Sequence, residues 1–118
     1  DRCLQTFAEI LQSCTERPAD LVARYGGEEF VLLLPNISMD GVAALDHKIR
    51  KRLRACAIPH RNSAVDQIVT YSAGGVTLLP TATTRSDSLV DQADKALYRA
   101  KAAGRDRLVR VEHHLNLT

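Results

Sequence analysis

Gly26-Gly27-Glu28-Glu29-Phe30 places two backbone-permissive residues directly before two carboxylates. Glycines at the tip of a turn reach positive φ and let a ligand approach the main chain with no side chain in between, as phosphates often require. Carboxylates beside them can hold a hard cation such as Mg²⁺, which prefers oxygen ligands and bridges carboxylates to substrate phosphates. The chemistry written in these five residues is that of a polyphosphate-plus-metal site. An ordinary Gly-Gly hairpin with exposed acids has the same residues. No other cluster competes with it. His47, His60, His113 and His114 share no metal-ligand spacing and read as surface residues. Cys3, Cys14 and Cys56 form neither CxxC nor CxxxH, and read as small core residues of a reduced protein.

The chain that must position these residues has 118 of them, 45% hydrophobic and 25% charged, enough for one compact domain around a single core. Sixteen Lys and Arg against fourteen Asp and Glu leave a net charge of +2, too near neutral to imply a nucleic-acid or polybasic membrane surface. Any anion site must be local. Aromatic residues at 4%, with no tryptophan, also weigh against a base-stacking surface for single strands. The longest apolar run, Phe30-Val31-Leu32-Leu33-Leu34, is far short of the roughly 20 residues that cross a bilayer, so a soluble domain is expected, and the cysteine pattern adds a reducing cytoplasm.

Periodicity assigns the elements. Cys3, Leu4, Phe7, Ile10, Leu11 and Cys14 recur at three- and four-residue steps, one stripe of a helix that Glu16-Arg17-Pro18 ends. Leu21 to Tyr25 and Phe30 to Leu34 are β-prone runs around Gly26-Gly27, a hairpin signal, and the second lacks alternation, as a central strand covered on both faces does. Ser38 is the expected N-cap of a helix burying Val42, Leu45, Ile49, Leu53 and Cys56, with Lys48, Arg50, Lys51, Arg52 and Arg54 on its other face. A loop over residues 57–66 leads to a strand from Ile68 to Leu78, interrupted by Gly74-Gly75. The last helix, Asp87 to Ala103, buries Leu89, Val90, Ala93, Leu97 and Ala100 and stops at Gly104, before a short strand from Arg107 to Val111. The order α-β-β-α-β-α-β predicts a mixed α/β layer, an α+β sandwich with helices covering one sheet.

Arg24-Tyr25-Gly26-Gly27-Glu28-Glu29-Phe30 resembles the signature of GGDEF domains in its GGEEF variant, the diguanylate cyclases that join two GTP into cyclic di-GMP with release of pyrophosphate. At average residue frequencies such a pentapeptide turns up by chance in a chain this long roughly once in ten thousand. Tyr71-Ser72-Ala73-Gly74-Gly75-Val76 is similar to the family's later strand, and the stretch from Ala93 to Arg105, with Ala96-Leu97-Tyr98 and Lys101, to its last helix. The resemblance implies a nucleotidyl-cyclase palm-like fold with a central, mostly antiparallel sheet. It implies that Gly26 and Gly27 line the GTP phosphates while Glu28 ligates Mg²⁺ (or Mn²⁺) and helps activate the attacking 3′-hydroxyl. Glu29, next in the motif, assists binding or shapes the turn. Lys101 and Arg105, on one side of the helix end, are directed at the β and γ phosphates in similar domains; a surface pair at a helix carboxyl end is the plainer reading, worth about 0.3–1 kcal/mol.

Arg17-Pro18-Ala19-Asp20 is separated from Gly26 by five intervening residues, matching the RxxD inhibitory site at which many of these enzymes bind their product. Arginine offers a planar fork to phosphate or a guanine Hoogsteen edge, and aspartate accepts from the guanine N1 and amino hydrogens. Lys48, with Arg50, on the basic helix face is the expected further contact; alone, an RxxD often marks only a local ion pair. The family's domain opens with a strand bearing a metal-binding aspartate and a helix with a guanine-reading Asn, which have no counterpart here. Asp1 resembles the guanine-binding Asp that follows them. The chain is therefore expected to be one domain fragment, residues 1–118 forming the C-terminal two thirds, with the first strand and helix missing, inactive alone and a diguanylate cyclase when intact as a homodimer. A parent protein tethered to a membrane is compatible with this, although the domain itself should touch neither membrane nor nucleic acid. The alternative is a non-catalytic cyclic di-GMP receptor working through Arg17 and Asp20.

Overall fold

A computed structural model of the chain describes residues 2–59, 69–79 and 82–112. They gather into two compact units, one of residues up to 37 with 44–70, the other of residues 38–43 with 71 onward.

In the first unit, α1 (Arg2–Cys14) buries Ile10, Leu11 and Cys14, the inner edge of the expected stripe. It ends where the Thr15 hydroxyl and N–H both turn back to the Leu11 carbonyl, at 2.9 and 3.1 Å, three residues ahead of Pro18. β1 (Leu21–Gly26) and β2 (Glu29–Leu33) pair antiparallel, Leu21 opposite Leu33 and Arg24 opposite Phe30, as the Gly-Gly signal predicts. Tyr25 is an extra residue in β1, a bulge between the Arg24 and Gly26 pairings. Phe30 meets Phe7 of α1 edge to face, ring centroids 5.4 Å apart.

The expectation that β2 is a central, doubly covered strand is not met among the described residues. Its one hydrogen-bonded neighbour there is β1, and Leu33 is 50% exposed. An apolar run records hydrophobic content; it does not say how many faces find a cover.

α2 (Met39–Cys56) starts at the expected cap: the Gly41 N–H donates to Ser38 Oγ at 3.1 Å. Ile49 and Leu53 are buried, but Cys56 is exposed because it is the helix's last residue and Ala57, at φ 46, turns the chain away. The basic face is more engaged than a solvated stripe: Arg50 pairs with Asp46 at 2.8 Å, Arg52 donates to Ser13 Oγ at 2.7 Å, and Lys48 pairs with Glu16 at 3.3 Å.

The second unit is a β-α-β crossover. β3 (Ala73–Thr77) and β4 (Leu108–Glu112) run parallel, in register from Ala73 opposite Leu108, and α3 (Ser86–Ala102) links them. β3 is shorter than the expected strand from Ile68; Ile68 itself lies outside the described residues, as do residues 60–67 of the expected loop. Gly74 does not interrupt β3. It sits directly under α3, where a Cβ would collide with the Ala93 carbonyl and the Leu97 backbone nitrogen. Ala96 and Ala100, both fully buried, are the small residues that let the helix come this close; the apolar spacing of the helix picks out Ala100 but not Ala96.

The mixed α/β class expected from the element order is present. One sheet was expected, mostly antiparallel; the described residues form two two-stranded sheets, β1-β2 antiparallel and β3-β4 parallel. A chain order names strands but not their partners, which long-range packing selects. No helix among the described residues is long and apolar enough to cross a membrane.

Candidate functional site

The β1–β2 turn presents the backbone that the sequence promised. Gly26 and Gly27 have φ of 119° and 52°, conformations that side chains disfavour, and a Cβ on either would meet nothing within 4 Å. The glycines are therefore required by torsion, and the space beside them is open to a ligand. Glu28 and Glu29 are exposed, and neither carboxylate is engaged by a hydrogen bond or ion pair among the described residues. No group of three or more His, Cys, Asp or Glu side chains gathers among those residues. A Mg²⁺ ion nevertheless suits this donor chemistry, since it takes one or two carboxylates and completes its shell with phosphate oxygens and water.

Arg24 braces the turn. Its Nε and Nη2 both donate to the Gly27 carbonyl, at 2.9 and 2.6 Å. Sequence reasoning assigned Arg24 no role; an arginine three residues ahead of the second turn glycine was the available signal.

Arg17 and Asp20 stand in the same unit, immediately before β1. Arg17 Nε lies 3.0 and 3.2 Å from the two Asp20 carboxylate oxygens, and Nη2 lies 2.7 Å from Oδ1. Nη1 donates to the Asn36 carbonyl at 3.2 Å, and the Asp20 N–H closes a turn onto the Arg17 carbonyl at 3.0 Å. The hydrogen bonds from Arg17 hold the Asp20 carboxyl below the usual carboxylate range, reinforced by the nearby charge and opposed by partial desolvation. The guanidinium is correspondingly raised. Lys48 reaches the neighbouring Glu16, so α2 is tied to the start of this loop.

Lys101 and Arg105 belong to the second unit. Lys101 is exposed in the last turn of α3, and Arg105 lies beyond Gly104, past the helix end. Gly104, at φ 122°, terminates α3: the Arg105 N–H bonds to the Ala100 carbonyl at 2.9 Å and the Gly104 N–H to the Lys101 carbonyl at 3.4 Å, a Schellman closure. Arg105 and Asp106 then take φ of 64° and 45°. The Ser72 hydroxyl accepts the Asp106 N–H at 3.2 Å, and the Ala73 N–H donates to the Arg107 carbonyl at 2.9 Å, so β3 holds this left-handed segment in place. His47 is exposed as expected; Asp1, His60, His113 and His114 lie outside the described residues.

Comparison with known proteins finds relatives of the chain as a whole. The family model "Diguanylate cyclase, GGDEF domain" matches residues 1–107. Diguanylate cyclase A of Treponema denticola is 38% identical over 115 residues, which are 98% of this chain and 30% of that protein. Diguanylate cyclase DgcP of Pseudomonas aeruginosa is 41% identical over 108 residues, 92% of this chain and 15% of that protein. The chain thus spans less than a third of either relative's length. The solved structure of the active GGEEF domain of a diguanylate cyclase from Vibrio cholerae matches with a TM-score of 0.73 at 25% identity, covering 97% of this chain and 69% of that one.

Proposed function

The chain belongs to the GGDEF family of diguanylate cyclase domains, and from that membership we propose that, within its full-length protein, it condenses two GTP into cyclic di-GMP and two pyrophosphates. The observation that carries the reading is the open, positive-φ Gly26-Gly27 backbone followed by the unengaged Glu28 carboxylate.

In each of the two condensations a 3′-oxygen bonds to an α-phosphorus, the bond from that phosphorus to the bridging oxygen breaks, pyrophosphate leaves, and the hydroxyl proton is released. Gly26 and Gly27 bring main chain alongside the phosphates where a side chain would exclude them. Glu28, with Glu29 assisting, accepts the hydrogen bond of the 3′-hydroxyl and draws its proton away as the oxygen attacks. Mg²⁺ or Mn²⁺, held by Glu28 with phosphate oxygens, would supply neutralising charge for the triphosphate. Lys101 and Arg105 offset the charge that develops on the departing pyrophosphate. Asp1 reads the guanine. Cyclisation needs two nucleotides facing each other, so a homodimer bringing one GTP per subunit is the working assembly.

Arg17 and Asp20, with Lys48, form the product-binding site in this reading. The product must exchange the Arg17–Asp20 pair for its own phosphate and guanine contacts, which makes the site inhibitory only when product accumulates. Binding at Arg17 and Asp20 requires none of the Glu28 chemistry, which supports a second reading, a receptor that binds cyclic di-GMP there and synthesises nothing. Cyclic di-GMP formation from GTP and Mg²⁺ by the full-length protein and its Glu28→Gln variant separates the two. Synthesis lost in the variant supports the cyclase, equal synthesis in both removes Glu28 from the reaction, and binding without any synthesis leaves the receptor.

A further inference from the structure

The catalytic turn is held from within its own hairpin. The strand pairing ends at Gly26 opposite Glu29, so the Gly27 carbonyl lies beyond the β1–β2 ladder. Arg24 satisfies that carbonyl from two nitrogens, at 2.9 and 2.6 Å. The bulge at Tyr25 belongs to the same arrangement, because it leaves Arg24 opposite Phe30 and three residues ahead of the carbonyl it grips.

This contact has a consequence one bond further along. The peptide between Gly27 and Glu28 is planar and trans, so its N–H points opposite to its carbonyl. Fixing the Gly27 carbonyl therefore fixes the Glu28 N–H on the other side of that plane. Glycine supplies no such preference itself: with no Cβ on residues 26 and 27, the peptide planes of the turn are free to rotate unless something outside them chooses.

We propose that Arg24 is a positioning residue for the nucleotide: its fork on the Gly27 carbonyl orients the Glu28 N–H toward a phosphate oxygen and places the Glu28 carboxylate. The kinetic part rests on the cyclase reading of this turn; the orienting of the backbone does not. The geometry calls for arginine in particular, since a lysine ammonium carries the same charge but cannot present two N–H groups in a fixed plane.

The test compares full-length wild type with Arg24→Lys and Arg24→Ala in three measurements: amide hydrogen exchange across residues 27–29, calorimetric affinity for GTP with Mg²⁺, and kcat and KM for GTP. Loss of hydrogen bonds from a charged donor corresponds to about a tenfold change. Exchange at the turn should rise about tenfold in both variants, with the melting temperature little changed. GTP affinity should weaken and KM rise by about the same factor, with a smaller fall in kcat. Lysine should not rescue. Unchanged exchange, wild-type KM in Arg24→Lys, or unaltered GTP affinity in the alanine variant each overturns the proposal, as does a wild type that binds no GTP. If wild type binds GTP but makes no cyclic di-GMP, and exchange and affinity respond as stated, the cyclase reading fails while the role of Arg24 stands.

Discussion

The Arg17 guanidinium grips the Asp20 carboxylate with two nitrogens, Nε and Nη2, at 3.0 and 2.7 Å from the same oxygen. Asp20 is enclosed, its side chain 5% exposed, while Arg17 keeps 42% of its own in solvent. The pair is thus built around a sheltered acid with an accessible base, and it immediately precedes the strand that leads to Gly26.

This pair should respond to acid in one direction only. Asp20 titrates below its ordinary value because Arg17 donates hydrogen bonds to it, so its contribution to stability is complete above the unfolded carboxylate pKa and is lost as pH falls through the lower folded value. The loop should keep its structure from neutral pH down through the ordinary carboxylate range. In Arg17→Ala, NMR titration should find the Asp20 carboxyl moved upward; an unmoved midpoint would contradict the pairing.

Cyclic di-GMP binding should depend on both members. Arg17→Ala and Asp20→Asn are each expected to weaken calorimetric affinity about tenfold or more, the magnitude of losing a charge-assisted contact. Lys48→Ala should weaken it less, since Lys48 stands 3.3 Å from Glu16 and is shared with that acid. Affinity retained in Arg17→Ala would place the receptor site elsewhere.

Glu28→Gln should abolish synthesis and leave folding intact. The carboxylate is exposed and engages no group among the described residues, so under the cyclase reading its removal should cost catalysis without costing packing. A melting temperature within about 2 °C of wild type, the shift of a change well under 1 kcal/mol, together with loss of product, is the expected result.

Gly74→Ala should be the most destabilising of the β3 glycine substitutions. Its Cβ would enter the backbone of α3, which cannot move aside as a side chain can; overpacking of this kind costs about 1–3 kcal/mol or more. At Gly75 the neighbours are the tips of Leu108 and Val42, 3.3 and 3.4 Å away, so alanine there should cost less. Urea unfolding of both variants ranks them, and the reverse order would reject the close approach of α3 to β3.

Gly104→Ala should destabilise by about 1 kcal/mol through torsion, because φ is 122° there and the Schellman closure of α3 depends on it. The same substitution displaces Arg105, so under the cyclase reading it should also raise KM for GTP. A variant with lower stability and unaltered KM would separate Arg105 from the phosphates.

Much of this protein is local, and local features were legible in the residues. The α1 stripe, the Ser38 cap, the hairpin at Gly26-Gly27 and the stop at Gly104 each depend on torsion or periodicity within a few residues, and all appear where the spacing put them. The Gly26-Gly27-Glu28-Glu29 motif was legible for the same reason: its positive-φ glycines and exposed carboxylates are properties of adjacent residues. What depended on distant partners was not. The direction of β3 against β4, the helix lying on Gly74, and the uncovered outer part of β2 are set by which surfaces meet. Arg105 shows the division within one residue. Its place past the helix follows from the Gly104 stop, whereas the left-handed backbone of Arg105 and Asp106 and the Ser72 hydroxyl that accepts the Asp106 N–H are tertiary. Residue types determined which chemistry this chain can carry; the tertiary structure decided which side chains hold the site, Arg24 on the Gly27 carbonyl above all, because a hydrogen bond needs a distance and an angle that spacing along a chain does not specify.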